Sequence, residues 1–287
     1  PTLGSKEVIF SLAQVCADEL NVSPEAITVV HGDSARVPFG VGGFASRGAS
    51  VALPAALEAS RKVRAKIFRV AAGLLEAAAE DLALADGAVH VRGAPDKKVT
   101  FRDLARAAVP GPPGMEPGLY ASHFFEAPKM TYPYGTHAAM VEVDAETGTV
   151  KILRYAIAYD IGKAVNPMIV DGQLVGALAQ GIGGALFEEL VYDEQGQLLT
   201  TTFMDYLVPT AMEMPGSTAV RILEETPTPL NPLGVKGAGE GGSSGCGGAI
   251  ANAVADALSP LGVSITALPL SPDRLSALIR AAREKAR

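Results

Sequence analysis

Tryptophan is absent, and 287 residues hold only two cysteines and four histidines. Two cysteines cannot frame a chain of this length with disulfides, which argues against a small secreted scaffold and makes a cytoplasmic location the expectation. Cys16 sits on the apolar face of a helical pattern and reads as a small buried apolar residue, whereas Cys246 lies in a glycine-rich loop. His31, His90, His123 and His137 are scattered, and none pairs with another histidine, an acid or a cysteine at metal-ligand spacing, so no metal held directly by side chains of this chain is expected. Basic residues are also short. Lys and Arg number 24 against 31 Asp and Glu, a formal net charge of −7. No surplus of cations is available to neutralise phosphates, which argues against nucleic acid as a partner. No apolar run reaches the roughly 18 residues a bilayer span requires, and no membrane association is expected. The start, Pro1-Thr2-Leu3-Gly4, has neither a methionine nor a basic-then-apolar leader, the pattern of a processed or clipped chain.

What is present is an ordinary globular composition, 48% hydrophobic and 19% charged, sufficient for one large domain or two small ones. Ile9, Leu12, Ala13, Cys16 and Leu20 share one helical face. The run Ile27 to Val30 reads as a strand. A small-residue loop follows from Gly40 to Ser50, and Val63, Ile67, Val70 and Leu74 mark a longer helix. Asp81 to Val91 predicts a hairpin around Asp86-Gly87, and Phe101 to Ala108 a short helix. Pro110 to Pro117 holds four prolines and two glycines in eight residues, which neither helix nor sheet tolerates. The expected organisation is a first lobe over 1–110, a linker at 111–117 and a second lobe over 118–287. In the second lobe, Gly135 to Asp144 and Thr149 to Tyr159 form strands joined at Glu146-Thr147-Gly148, followed by a helix from Ile169 to Phe187. Further helices are expected over Ala249 to Leu258 and Pro272 to Arg287. Helices and hairpins mix without regular strand–helix alternation, so the fold class is α+β.

The segment Gly237-Ala-Gly-Glu-Gly-Gly-Ser-Ser-Gly-Cys-Gly-Gly248 carries the most information. Seven glycines in twelve residues cost backbone entropy on folding, and they let a chain approach a ligand closely. Glu240 stands alone among them just before a helix, a placement that packing explains poorly and general-base chemistry explains well. Gly237, Gly239 and Gly242 also match a dinucleotide fingerprint. Pro227, Pro229 and Pro232 occupy the place of the strand that this fingerprint needs, so a nucleotide fold is not the reading adopted.

Three further segments are rich in small residues: Gly42 to Ser50, Asp160-Ile161-Gly162 with Asn166-Pro167, and Gly176-Ala-Leu-Ala-Gln-Gly-Ile-Gly183. In this order, and with the runs Asp160 to Glu189 and Asn231 to Asp256, the chain resembles the C-terminal half of the large subunit of the xanthine dehydrogenase, aldehyde oxidase and aerobic carbon monoxide dehydrogenase family. The resemblance implies a two-lobed molybdenum-cofactor-binding domain of mixed hairpins and packed helices. It implies that Glu240 is the catalytic base, that Gln180 and the adjacent Gly181 contact the pterin, that Ala45, Ser46 and Arg47 pack on the cofactor, and that Ser243 and Ser244 line the same cavity. Asp160, Gly162 and Asn166 match a segment that is structural.

The activity implied is oxidative hydroxylation of an aldehyde or N-heterocycle, in which a molybdenum-bound hydroxide attacks carbon and Glu240 takes its proton. The metal is held through the pterin dithiolene, so no protein ligands are called for. The cofactor implied is molybdopterin-type, with a cytosine dinucleotide form among the options. Iron–sulfur and FAD groups belong on partner chains or domains, as does the other half of the molybdenum site, and the substrate is a small molecule. One departure stands out. Gly4-Ser5-Lys6-Glu7 replaces the family's Gly-Gln-Gly, which admits the alternative of a non-catalytic scaffold that no longer binds cofactor.

Overall fold

The computed structural model describes residues 6–37, 40 and 42–285. Gly4 and Ser5, half of the departure just noted, lie outside them. The chain groups into two compact units, one of 1–131 with 228–237, the other of 132–227 with 238–287.

In the first unit, α1 (Lys6–Leu20) and α2 (Leu53–Leu75) pair, and both predicted helical patterns are realised. Ile67, Val70, Ala71 and Leu75 of α2 form a core with Leu82, Leu84, Val89, Leu104 and Ala108. The hairpin forms as β1 (Leu82–Ala85) and β2 (Ala88–Val91), paired antiparallel. Asp86 and Gly87 both take positive φ, 46° and 71°, the geometry of a two-residue turn that matches strand twist. A third strand, β3 (Ala94–Thr100), adds to β2 and was not anticipated, because five of its seven residues before Val99 are exposed and carry no apolar alternation. It leads into α3 (Phe101–Ala107), whose cap Thr100 accepts a hydrogen bond from the Asp103 amide at 3.3 Å.

Two expectations are corrected here. Ile27 to Val30 does not form a strand, since no described strand pairs with it and an isolated extended run gains no ladder. The division does not fall at 111–117, because this segment packs within the first unit. Met115 and Leu119 lie on the α2–α3 core, and the Gly118 amide donates to the Ala108 carbonyl at 2.7 Å.

In the second unit, β4 (Tyr134–Val143) and β5 (Val150–Asp160) form the predicted hairpin. Unforeseen, β6 (Thr218–Leu223) pairs parallel with β5, so the helix between them, α4 (Pro167–Leu186), acts as a crossover. Asn166 caps α4 by accepting from the Ile169 amide at 3.2 Å, with Pro167 at the first helical position. Leu174, Leu178 and Ile182 of α4 are fully buried against Tyr155 and Ile157 of β5. The same core takes Ile250 and Val254 from α6 (Cys246–Ala257), and Leu275 and Ile279 from α7 (Pro272–Lys285). By length and composition α4 is apolar enough to cross a bilayer, which corrects the reading that no such run exists. The face it buries in this core supplies part of that composition, with 39% of the span buried.

Asp160, at the end of β5, is 1% exposed. Its carboxylate accepts from the Gly162 amide at 3.0 Å and from the Thr226 amide and hydroxyl at 3.1 and 2.9 Å. This is the structural segment expected from the resemblance. Asp160→Ala strips the acceptor from these donors and is expected to cost about 1.5–3 kcal/mol in urea unfolding. A smaller loss would show that Thr226 is held by other contacts.

Candidate functional site

In the first unit, the irregular run before the glycine loop is organised by one side chain. Asn231 accepts from the amides of Leu233 and Val235 at 3.1 and 3.2 Å and donates to the Val235 carbonyl at 2.8 Å. It delivers Gly237 to the loop that holds Ala45, Ser46 and Arg47. A Cβ on Gly237, which has φ of 95°, would lie 2.5 Å from the Ser46 carbonyl oxygen, so only glycine fits. Ala45 and Ser46 take φ of 51° and 52° in succession. Two adjacent non-glycine residues in this region cost on the order of 1–3 kcal/mol each and are commonest at functional sites. The Arg47 guanidinium lies 5.2 Å from the centre of the Phe44 ring, and a π-helical turn, Gly48–Ala52, follows.

In the second unit, Glu240 caps the four-residue helix α5 (Gly241–Ser244). It is exposed, not partly enclosed as a base in a cavity should be. Nothing within its own unit folds over this end of α5 far enough to bury it. Ser243 and Ser244 turn back on the backbone, their hydroxyls donating to the Glu240 carbonyl at 3.0 and 2.8 Å. Each hydroxyl oxygen can still accept a hydrogen bond from a ligand. Gln180 is exposed on α4. Gly181 beside it faces inward, where a Cβ would lie 2.5 Å from Cys246 Cβ and 3.2 Å from Ser243 Cα. Gly181 is thus required for helix packing.

The same reason accounts for most of the loop's glycines. A Cβ on Gly242 would lie 1.9 Å from the Leu174 carbonyl oxygen, and one on Gly241 would lie 2.7 Å from Tyr159 and from Leu174. One on Gly245 would lie 2.6 Å from the His137 ring. These glycines were read as room for a ligand, but they are room for α4, β5 and β4. Within the stretch Gly248 is open, and three more open glycines lie on α4. A Cβ on Gly172, Gly176 or Gly184 would meet nothing within 4 Å. With exposed Gln180 they form a helix face free of side-chain bulk, which fits a flat heterocycle lying along it and hydrogen-bonding one amide.

Beneath the Glu240 turn lies a polar chain that sequence reasoning missed. His137 of β4 meets the Tyr155 hydroxyl through Nδ1 at 2.9 Å and the Gly241 carbonyl through Nε2 at 3.1 Å. The rings of His137 and Tyr155 meet edge to face, with centroids 5.8 Å apart. Tyr155 in turn hydrogen-bonds the thiol of Cys246, which is fully buried. Burial pushes the Tyr155 phenol and the Cys246 thiol up and the His137 imidazole down, so all three are held in their neutral forms near pH 7. Tyr159 is also raised, mainly by burial, with the nearby Glu240 charge adding to it. No sequence signal pointed to His137, because its partners stand up to 104 residues away. Among the described residues, no three His, Cys, Asp or Glu side chains gather as a metal site would require.

Comparison with known proteins gives the family. Residues 9–215 match the molybdopterin cofactor-binding domain family. The chain is 41% identical over 267 residues to the 6-hydroxypseudooxynicotine dehydrogenase complex subunit gamma of Paenarthrobacter nicotinovorans, covering 92% of this chain and 33% of that one. It is 38% identical over 258 residues to the carbon monoxide dehydrogenase large chain of Hydrogenophaga pseudoflava, covering 90% and 32%. Quinoline 2-oxidoreductase from Pseudomonas putida 86 superposes with a TM-score of 0.83 at 39% identity, covering 94% of this chain and 35% of that one. The chain thus spans about a third of the length of the curated relatives it matches. On the family match and these likenesses, the chain belongs to the molybdopterin cofactor-binding domain family, in the line of the large subunits of carbon monoxide dehydrogenase and related molybdenum hydroxylases.

Proposed function

We propose that this chain is part of the catalytic subunit of a molybdenum-dependent oxidoreductase that hydroxylates an N-heterocycle or an aldehyde, with Glu240 as general base. The observation that carries this reading is the coupling of α4 and α5. Gly181, Gly241 and Gly242 let α4 and α5 approach closely, so exposed Gln180 and exposed Glu240 stand on neighbouring elements of one unit. Gln180 would hold a polar edge of the pterin against the bare face of Gly172, Gly176 and Gly184. The serine hydroxyls at 243 and 244 would offer acceptors to the same cofactor, whose cytosine dinucleotide form is one option; for Ala45, Ser46 and Arg47 of the first unit, a cofactor contact is proposed from the family resemblance. When bound, the cofactor supplies oxygen transfer and takes up the substrate's electron pair. Glu240 then has one task, to accept the proton that the attacking oxygen gives up. A relative named for quinoline supports an N-heterocyclic substrate.

The exposure of Glu240 supports a partner chain or domain that closes the other side of the site. So do the exposed apolar side chains of Tyr192, Phe203, Met204 and Met212. Iron–sulfur and flavin groups on further partners would carry electrons away. Both cysteines are free, which suits a reducing cytoplasm.

Molybdenum measured by mass spectrometry on the natively purified complex should approach one atom per chain, and a panel of N-heterocycles and aldehydes should reveal turnover. A complex without molybdenum would overturn the reading. Gly176→Leu checks the α4 face separately. The fold should hold, because nothing is within 4 Å of that position and leucine favours helix over glycine by about 0.5–1 kcal/mol. Molybdenum content should nevertheless fall several-fold. Unchanged content would place the cofactor away from this face.

A further inference from the structure

A turn of four residues cannot hold its own shape. Isolated helices this short are unstable, and here the turn is built from two glycines and two serines. The Glu240 carbonyl accepts four donors, from the amides and hydroxyls of Ser243 and Ser244, but all four belong to the turn itself and can move with it. Fixing the turn in space requires anchors from elsewhere. Leu174 and Tyr159 support it by packing against Gly241, Leu174 also lies against Gly242, and the Tyr159 hydroxyl hydrogen-bonds Ser244 at the turn's end. The polar anchor at its far side is His137. The imidazole is wedged between the Gly241 carbonyl at one end of the turn and Gly245 at the other, where any side chain would strike the ring.

The direction of this hydrogen bond is fixed by chemistry. A carbonyl only accepts, so His137 Nε2 must carry the proton. In the neutral ring Nδ1 is then an acceptor, and Tyr155 donates to it. The Cys246 thiol, which packs beside Tyr155, donates to the Leu178 carbonyl at 4.0 Å. The chain therefore runs one way: Tyr155 O–H to His137 Nδ1, and His137 Nε2–H to the Gly241 carbonyl. It links β5, through β4, to the residue after Glu240. This ordering selects one tautomer and one ring orientation, and so one position for the turn.

We propose that His137 is a positioning residue for Glu240: its imidazole, oriented by Tyr155, holds the Gly241 carbonyl and so sets where the Glu240 carboxylate points. The proposal rests on Glu240 being the base. His137 meets Tyr155 and the Gly241 carbonyl and acts through that carbonyl. Its effect is on geometry, and misplacement of a reacting group by about 1 Å can cost on the order of 10²-fold in rate.

The test uses a pair of near-isosteric variants in the assembled complex. His137→Gln keeps an N–H three bonds beyond Cβ, where Nε2 stands, and can still donate to Gly241. His137→Asn keeps only a group at the Nδ1 place and loses that donor. Per molybdenum, His137→Asn should lower kcat by about 10–100-fold with KM within about 3-fold, and His137→Gln should stay within about 5-fold of the unaltered enzyme. Hydrogen exchange read by mass spectrometry supplies a readout independent of turnover. Amides of the Gly241 to Gly245 segment should exchange at least about 10-fold faster in the Asn variant and little faster in the Gln variant. Equal behaviour of the two variants, or unchanged exchange, would overturn the proposal. If the Asn variant does not assemble, Tyr155→Phe removes only the orienting hydroxyl; faster exchange in the same segment is again expected, and unchanged exchange is again fatal. A double variant with Glu240→Gln should be no slower than Glu240→Gln alone. Near-normal turnover of Glu240→Gln, with the exchange result intact, would sink the base assignment and leave the anchoring of the turn standing.

Discussion

Glu240→Gln is expected to lower kcat of the assembled complex by about 10³–10⁴-fold while leaving molybdenum content unchanged. The substitution keeps the shape of the side chain and its capacity for hydrogen bonds but removes the base. Glu240 serves α5 through its main-chain carbonyl, which glutamine retains. Stability and cofactor loading should therefore match the unaltered protein, and the loss should appear in kcat at constant loading. Retention of near-normal turnover would falsify the assignment of Glu240 as base and reduce the loop to a cradle.

Gly242→Ala is expected to have the largest effect on folding. The added Cβ would stand 1.9 Å from the Leu174 carbonyl oxygen, 2.6 Å from the Leu178 amide nitrogen and 2.9 Å from Ala177 Cβ. Two of these are backbone atoms of α4 and cannot swing aside, so α5 must lift away from α4. The cost should reach about 3 kcal/mol, the upper end for overpacking, with a fall in Tm of roughly 6–12 °C by scanning fluorimetry. Gly248→Ala is the control. It lies in α6 of the same glycine-rich stretch, its Cβ would meet nothing within 4 Å, and alanine there should be neutral or stabilising by up to about 1 kcal/mol. Equal destabilisation by the two substitutions would show that the stretch needs glycine for flexibility and not for close packing.

The contrast between Gly242 and Gly248 also shows what could be learned before the structure. Periodicity is local, and it was legible: α1, α2, α3, α4, α6 and α7 fall on predicted helical patterns, and the turn at Asp86-Gly87 carries its own geometry in two residues. The strand β6 was not legible. Its pairing is parallel to a strand some sixty residues earlier, and nothing within Thr218–Leu223 states which edge it will join. The run Ile27 to Val30 is the converse case, apolar enough for a strand but without an edge to pair with. The first unit also recruits 228–237 from beyond the second hairpin. No composition shift at 111–117 could disclose that return.

For the candidate site, the sequence by itself determined the residue types and their order: an acid among glycines ahead of a helix, an amide among small residues on another, and the family these imply. Tertiary structure alone decided what each position is for. It assigned Gly181, Gly241, Gly242 and Gly245 to contacts inside the protein, left Gly172, Gly176 and Gly184 open, and set His137 beneath the Glu240 turn. The physical reason is range. A motif reports on residues a few positions apart, whereas the need for a missing Cβ arises from an atom on another element. The hydrogen bond that anchors this turn spans 104 residues of chain.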